Sequence, residues 1–239
     1  LTNGYSFANG SEVKGAGTLV LPSGPAITLA GTVKWSNTNF SGQSINGTGD
    51  LTITGISNWT SGSLSANGTF TIANGATLNI LGSAHTLEQR FVNQGTVNWT
   101  AGPISINNVE LLNDFPGVFN MNLSESIIGS GGSPVFRNKG AIIKTGPGTV
   151  TFANSLSPMT LDNIGALDVY SGVVSIPSTL VQRVDNTLTG GTWLVGDTGV
   201  LDIPGLQLKT LNGYLEMQGP GSTFAPLRYL SVINGGFAL

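Results

Sequence analysis

Asn93-Gln94-Gly95-Thr96-Val97-Asn98-Trp99-Thr100-Ala101-Gly102-Pro103-Ile104 is a turn signal, a short alternating strand and a second turn signal. Side chains alternate along an extended chain, so Val97 and Trp99 share one side and Thr96 and Asn98 the other. Near copies surround it. Gly31-Thr32-Val33-Lys34-Trp35 matches Gly95 to Trp99, and Asn58-Trp59-Thr60-Ser61-Gly62 matches Asn98 to Gly102. Gly68-Thr69-Phe70-Thr71-Ile72, Gly75-Ala76-Thr77-Leu78-Asn79-Ile80 and Asp50-Leu51-Thr52-Ile53-Thr54 have the same texture. Each is a short apolar-alternating run fenced by glycine, which reads as a strand.

The spacing sets the architecture. Gly95, Gly117, Gly140 and Gly165 are 22, 23 and 25 residues apart, with further turn signals between them. A period of about 20–25 residues holding short strands and several corners is the mark of a β-solenoid. The expected fold is therefore all-β, a parallel β-helix of about ten coils forming one domain over residues 1–239, or a segment of a longer repeat chain. A β-sandwich or β-propeller competes, since both use short strands and glycine-rich turns. The Trp59 to Trp99 interval of 40 residues suits a propeller blade, but Trp35 to Trp59 is 24 and Trp193 does not continue the series.

Three local expectations follow. Asn stands two before Gly at Asn93, Asn138 and Asn163; both residues tolerate positive φ, so this reads as a recurrent tight corner. Ser36–Ser44 reads as a polar loop too rich in Asn, Ser and Gly to bury, and Ser124–Pro134 as a variable loop; these loops are the expected useful surfaces. Ala84–Val92 reads as an irregular strand with a local bulge.

Composition narrows the function classes. Charged residues are 9% of the chain, well below the roughly 25% of ordinary domains, so Ser, Thr, Asn and Gly must supply the polar surface. With 9 basic and 12 acidic residues there is no basic stripe for nucleic acid or for anionic lipid. There is no cysteine, and no apolar run approaches the roughly 18 residues of a membrane helix. The polar opening at Leu1-Thr2-Asn3-Gly4 reads as a mature or trimmed product, or a segment of something longer, rather than a signal peptide.

Gly95-Thr96-Val97-Asn98-Trp99, Asn138-Lys139-Gly140 and Gly165-Ala166-Leu167-Asp168-Val169-Tyr170-Ser171-Gly172 resemble the degenerate repeats of large secreted bacterial surface proteins. These are the adhesin-like and autotransporter-passenger-like right-handed parallel β-helices. The resemblance covers about Gly15 to Met217. It implies an extracellular or cell-surface location and a structural or adhesive role, and it carries no catalytic motif.

Candidate chemistry is sparse. Polysaccharide-active β-helices need convergent carboxylates. The candidates are Asp162 with Asp168, Asp197 with Asp202, and Asp168 brought beside Asp202 by stacking; the plainer reading is solvated outward acids. His85 is the single histidine and cannot build a zinc site without cysteines or an acidic cluster. Gly47-Thr48-Gly49-Asp50 is an isolated fragment of a calcium repeat, and Thr145-Gly146-Pro147-Gly148-Thr149 lacks the lysine of a phosphate loop. Trp35, Trp59, Trp99 and Trp193 could stack sugars if exposed, but Trp shares the side of Val and is expected in the core. Thr52/Thr54, Thr69/Thr71 and Thr149/Thr151 do not recur at one coil spacing, as an ice-binding face would require. Sequons at Asn9, Asn46, Asn58, Asn67, Asn98 and Asn122 matter only in a glycosylating host. No catalytic, cofactor or metal residue is assigned. The expected role is a non-enzymatic stalk, surface-fibre or filament segment. Its expected partners are further repeats or copies, bound end to end, and surface glycans, with no nucleic acid and no membrane insertion. A carbohydrate-binding module or β-helix polysaccharide enzyme is the alternative.

Overall fold

A computed structural model describes residues 4–239. It is a parallel β-solenoid of about 11 turns, and the only helix among the described residues is a short 3-10 segment at Ala225–Tyr229. Leu1, Thr2 and Asn3 of the expected uncapped N-terminal end lie outside the described residues.

Each coil contributes a strand to three faces. In the coil around the opening stretch these are Arg90–Asn93 on the first face, Thr96–Trp99 on the second and Ile104–Asn107 on the third. The quoted segment thus runs from one corner, along the second face, round the next corner. On the three faces strands pair in parallel with their equivalents one coil away: Thr96 with Thr77 and Val118, Ile104 with His85 and Ile127, Phe91 with Phe70 and Leu111. The first face is a sheet of nine strands. The second and third faces join as one sheet through two long strands, Ala166–Ser175 and Thr192–Asp202, which bend from one face to the other. Near the C-terminal end a small hairpin, Arg183–Val184 with Thr187–Leu188, is the one antiparallel pairing among the described strands.

Aligned coils place equivalent residues in columns. One inward column of the second face reads Leu21, Phe40, Trp59, Ile80, Trp99, Met121, Lys144, Val169, Val195 and Met217. All four tryptophans are buried, as the shared side with valine requires. Aromatic rings continue the stack between coils: Phe7 lies 5.3 Å from Trp35, Trp35 5.8 Å from Phe40, and Phe40 6.1 Å from Trp59. A second run links Trp99, Phe119, Phe136 and Phe152 at 5.4 to 6.4 Å. Such contacts add to the burial of large apolar surface that dominates the stability of the rod.

The Asn-x-Gly corner has a different cause from the one expected. Asn93, Asn138, Asn163 and also Asn113 are fully buried and lie outside the positive-φ region, as do the glycines that follow at Gly95, Gly140 and Gly165. The asparagines form a ladder. Asn93 Nδ2 donates to Asn113 Oδ1 at 2.7 Å, Asn113 to Asn138 at 2.8 Å, and Asn138 to Asn163 at 2.8 Å. The second N–H of each of the first three amides donates to a backbone carbonyl at the next corner: Val118, Ala141 and Ala166. Glycine is required because the coils touch there: a Cβ on Gly140 would sit 2.1 Å from the Gly117 carbonyl oxygen, and one on Gly165 2.2 Å from that of Gly140.

Both expected loops are parts of coils. Ser36–Ser44 contains the strand Thr38–Phe40 and the start of Gln43–Gly47, with Thr38, Phe40 and Gln43 buried. Ser124–Pro134 contains the strand Glu125–Gly131. Buried Ser57 accepts the Thr38 N–H at 3.2 Å, and buried Gln43 accepts the Ser41 N–H at 2.9 Å and donates to the Pro22 carbonyl, whereas the Thr38 hydroxyl is buried without a partner. Ala84–Val92 is two strands, His85–Leu87 and the start of Arg90–Asn93, separated by a corner at Glu88–Gln89 rather than a bulge. Buried Gln89 shapes that corner by accepting the Ala66 N–H at 2.7 Å.

Candidate functional surface

The outward column of the second face is the most regular polar feature of the molecule. It reads Val20, Asn39, Asn58, Asn79, Asn98, Asn120, Ile143, Asp168, Leu194, Glu216 and Ala238. Its five consecutive asparagines form a second ladder on the outside of the rod. Asn58 Nδ2 donates to Asn39 Oδ1 at 2.7 Å, Asn79 to Asn58 at 2.8 Å, Asn98 to Asn79 at 2.9 Å and Asn120 to Asn98 at 2.9 Å. All five are half-buried. The strands carrying them have outward neighbours such as Ile56, Thr77, Thr96, Val118 and Ala141, and no outward ionisable residue.

Charge is concentrated elsewhere. The first face carries an alternating ladder: Glu110 bridges Arg90 at 3.1 Å and Arg137 at 2.8 Å, and Arg137 reaches Asp162 at 2.9 Å. Gln182 Nε2 then donates to Asp162 Oδ1 at 2.7 Å. Asp162 is therefore bound into a ladder that holds coils in register. Asp202 accepts a 2.7 Å hydrogen bond from Ser175 Oγ, on the coil before it.

The expected carboxylate pairs are not assembled. Asp168 aligns with Leu194 on the second face, whereas Asp202 aligns with Ser175 on the third. The carboxylate that acts on Asp168 is Glu216, two coils along the same column. Burial first, and the Glu216 charge second, raise the Asp168 pKa above its ordinary value. The Tyr170 pKa is raised by burial first, and then by the charges of Asp168, Asp197 and Glu216. Glu216 is itself engaged, accepting from Tyr214 Oη at 3.0 Å and from Gln218 Nε2. Glu216 escaped the sequence reading because its partnership with Asp168 spans two unequal coils; laying the outward column in register would have revealed it. No group of three or more His, Asp or Glu among the described residues could hold a metal ion.

His85 is fully buried on the inward side of the third face. Its ring packs edge-on against Trp59 with centroids 4.6 Å apart, and Nε2 lies 3.2 Å from the Trp59 carbonyl oxygen. Burial holds its pKa below the ordinary value. Lys144, which the sequence reading passed over, occupies an inward position of the second face, in the column of Trp59 and Trp99. Its Nζ donates to the corner carbonyls of Thr145 at 3.0 Å and Gly146 at 2.7 Å. Trp59 Nε1 and Trp99 Nε1 do the same for the corner carbonyls of Ser61 and Gly102, at 2.9 and 2.7 Å. Lysine here fills an apolar stem position and supplies the corner donor that tryptophan supplies in other coils.

A shallow cleft of about 160 Å³ lies near the C-terminal end, bordered by Asp202, Pro204, Leu206, Pro226, Arg228 and Tyr229. Within it Asp202 accepts from Ser175 Oγ, and the exposed Arg228 guanidinium stacks 4.7 Å from the Tyr229 ring centre. No helix among the described residues is long and apolar enough to cross a membrane. No family model matches the chain, and neither a curated protein nor a solved structure matches it.

Proposed function

We propose that the chain is a non-enzymatic structural or adhesive segment of an extracellular or cell-surface protein, a rod that presents a surface and extends by adding coils. The observation that carries this reading is how the polar side chains are used. The buried asparagines, the Arg90–Glu110–Arg137–Asp162 series and Lys144 each bind one coil to the next or close a corner. Side chains committed in this way build a rod and leave few free for chemistry. The low charge and the resemblance of the repeats to adhesin-like passengers support the same reading. The outermost strands Val232–Ile233 and Gly236–Ala238 each pair with one neighbouring strand. Their free edges can template another coil, from a longer chain or a second copy. Sedimentation velocity and electron microscopy over a concentration series test this: end-to-end rods support it, and a strictly monomeric particle at high concentration counts against self-assembly.

A polysaccharide-active β-helix is the second reading, and the Asp168–Glu216 relationship favours it. A raised carboxyl pKa beside a second carboxylate is what a general acid needs. Intervening Leu194 and the hydrogen bonds already made by Glu216 weigh against it.

A further inference from the structure

We propose that the second face is a docking surface for an extended neutral polysaccharide, gripped by the outer asparagine ladder from Asn39 to Asn120. The proposal rests on the adhesive reading and names the class of partner.

The valences of the ladder point to the partner. A side-chain amide has two N–H donors and two acceptor lone pairs. In Asn58, Asn79 and Asn98 the ladder uses one N–H and one lone pair of the oxygen. No protein group takes the others. Each rung therefore keeps one donor and one acceptor at a half-buried position on the outside of the rod. Rungs are about 4.8 Å apart, the spacing of paired strands. The result is a row of alternating donor and acceptor capacity in fixed orientation, since each amide is held by both neighbours. Hydroxyl groups, which donate and accept at once, satisfy such a row; a purely donating or purely accepting ligand does not.

Charge and size select further. The second-face strands from Leu19–Leu21 to Ala141–Lys144 carry no outward ionisable group, and the one cation among them, Lys144, is buried with its ammonium on corner carbonyls. A charged polymer would gain nothing there and would lose hydration. Five rungs and a four-residue strand make a strip of about 20 by 13 Å, or roughly 300 Å². That is well below the roughly 800 Å² per partner of a standard protein interface. A protein or a second copy would be held weakly by this strip alone, whereas a linear polymer can run along it. These strands pair without a register shift, so the row is unbroken from Asn39 to Asn120.

The test is co-sedimentation of the whole chain with microcrystalline cellulose, insoluble chitin and insoluble mannan, and with polygalacturonate as the anionic comparison. Retention is expected on at least one neutral polymer, and none on polygalacturonate. Asn79→Thr with Asn98→Thr should weaken retention about tenfold or more, because two rungs of hydrogen bonds are lost. Thr96→Lys leaves the ladder intact and places an ammonium on the strip; it should weaken retention with an unchanged melting curve. Ser63→Lys and Thr86→Lys, on the third face, should leave retention as it is. Absence of retention on every neutral polymer, or a Thr96→Lys protein that binds like the original, overturns the proposal. So does a lateral dimer that Thr96→Lys dissociates, which would make the face an interface between copies. A chain that forms rods yet ignores all the polymers removes this surface and leaves the structural reading standing; cleavage of a polymer removes the structural reading itself.

Discussion

The Nδ2 of Asn113 donates at 2.8 Å to the Oδ1 of Asn138, its equivalent one coil on, and both amides are fully buried. Asn138 also donates to Asn163 and to the Ala166 carbonyl, each at 2.8 Å. Asn138→Leu would leave the Asn113 N–H and the Asn163 Oδ1 without partners in a closed corner, while the Ala166 carbonyl loses one of its donors. At about 1 kcal/mol or more for each stranded group, the expected loss is about 2 kcal/mol, read from chemical denaturation. A loss under 1 kcal/mol would mean that apolar packing, and not the ladder, holds this corner.

Contact between coils makes a sharp distinction among the glycines. Gly140→Ala would place a methyl 2.1 Å from the Gly117 oxygen, whereas a Cβ on Gly17 meets nothing within 4 Å. Backbone must shift in the first case, so Gly140→Ala should lower stability by about 3 kcal/mol, while Gly17→Ala stays within about 0.5 kcal/mol. Thermal melts of the two proteins compare them directly.

His85 should give the fold an acid-sensitive step. Burial depresses its pKa below the ordinary 6.5, so the folded chain keeps the ring neutral while the unfolded chain takes up a proton. By linkage its contribution is fully present above pH 6.5 and is lost as pH falls from there through the depressed folded value. Leucine suits the neighbouring Ile104 in the same column. The His85→Leu protein should therefore lose the part of the acid-induced decline in melting temperature that begins below 6.5. An identical pH profile in both proteins would show that the imidazole titrates freely.

Lys144 makes the opposite end of the pH scale informative. Burial lowers its pKa from 10.5, so charging it in the fold costs stability at neutral pH. The folded state binds fewer protons than the unfolded state between the lowered value and 10.5, and stability rises with pH across that window. Lys144→Met, which repeats the Met121 of the coil before, should remove this slope and stabilise the fold at neutral pH by about 1 kcal/mol. The freed carbonyls of Thr145 and Gly146 lie at a corner that water can reach, so they add little to the cost. A destabilised Lys144→Met protein would show that the ammonium contributes more to the corner than its burial costs.

The repeat was legible because period-two alternation and glycine spacing are local. Val97, Trp99, Leu78 and Ile80 face inward as read, and the coil period emerges from Gly95, Gly117 and Gly140. What stayed hidden depends on register between coils. Asn93 and Asn138 looked like turn formers because a single sequence shows the type of residue and not the amide stacked above it. Ser36–Ser44 looked too polar to bury, yet buried Gln43 finds partners in the Ser41 N–H and in the Pro22 carbonyl one coil back. Unequal coil lengths, from 19 residues between Asn79 and Asn98 to 26 between Asp168 and Leu194, hid the column that unites the outer asparagines with Asp168 and Glu216. Both stretches expected as loops contain strands, and Asn39 within the first is also the first rung of the proposed docking surface.

In the proposed role the chain builds and presents a surface without transforming what it touches. Mass spectrometry of the soluble products, after prolonged incubation with neutral and anionic polysaccharides with and without calcium, tests it most directly. No new chain ends are expected on any polymer. Release of oligosaccharides that ceases in Asp168→Asn or Glu216→Gln would contradict it and establish the carboxylate pair as catalytic.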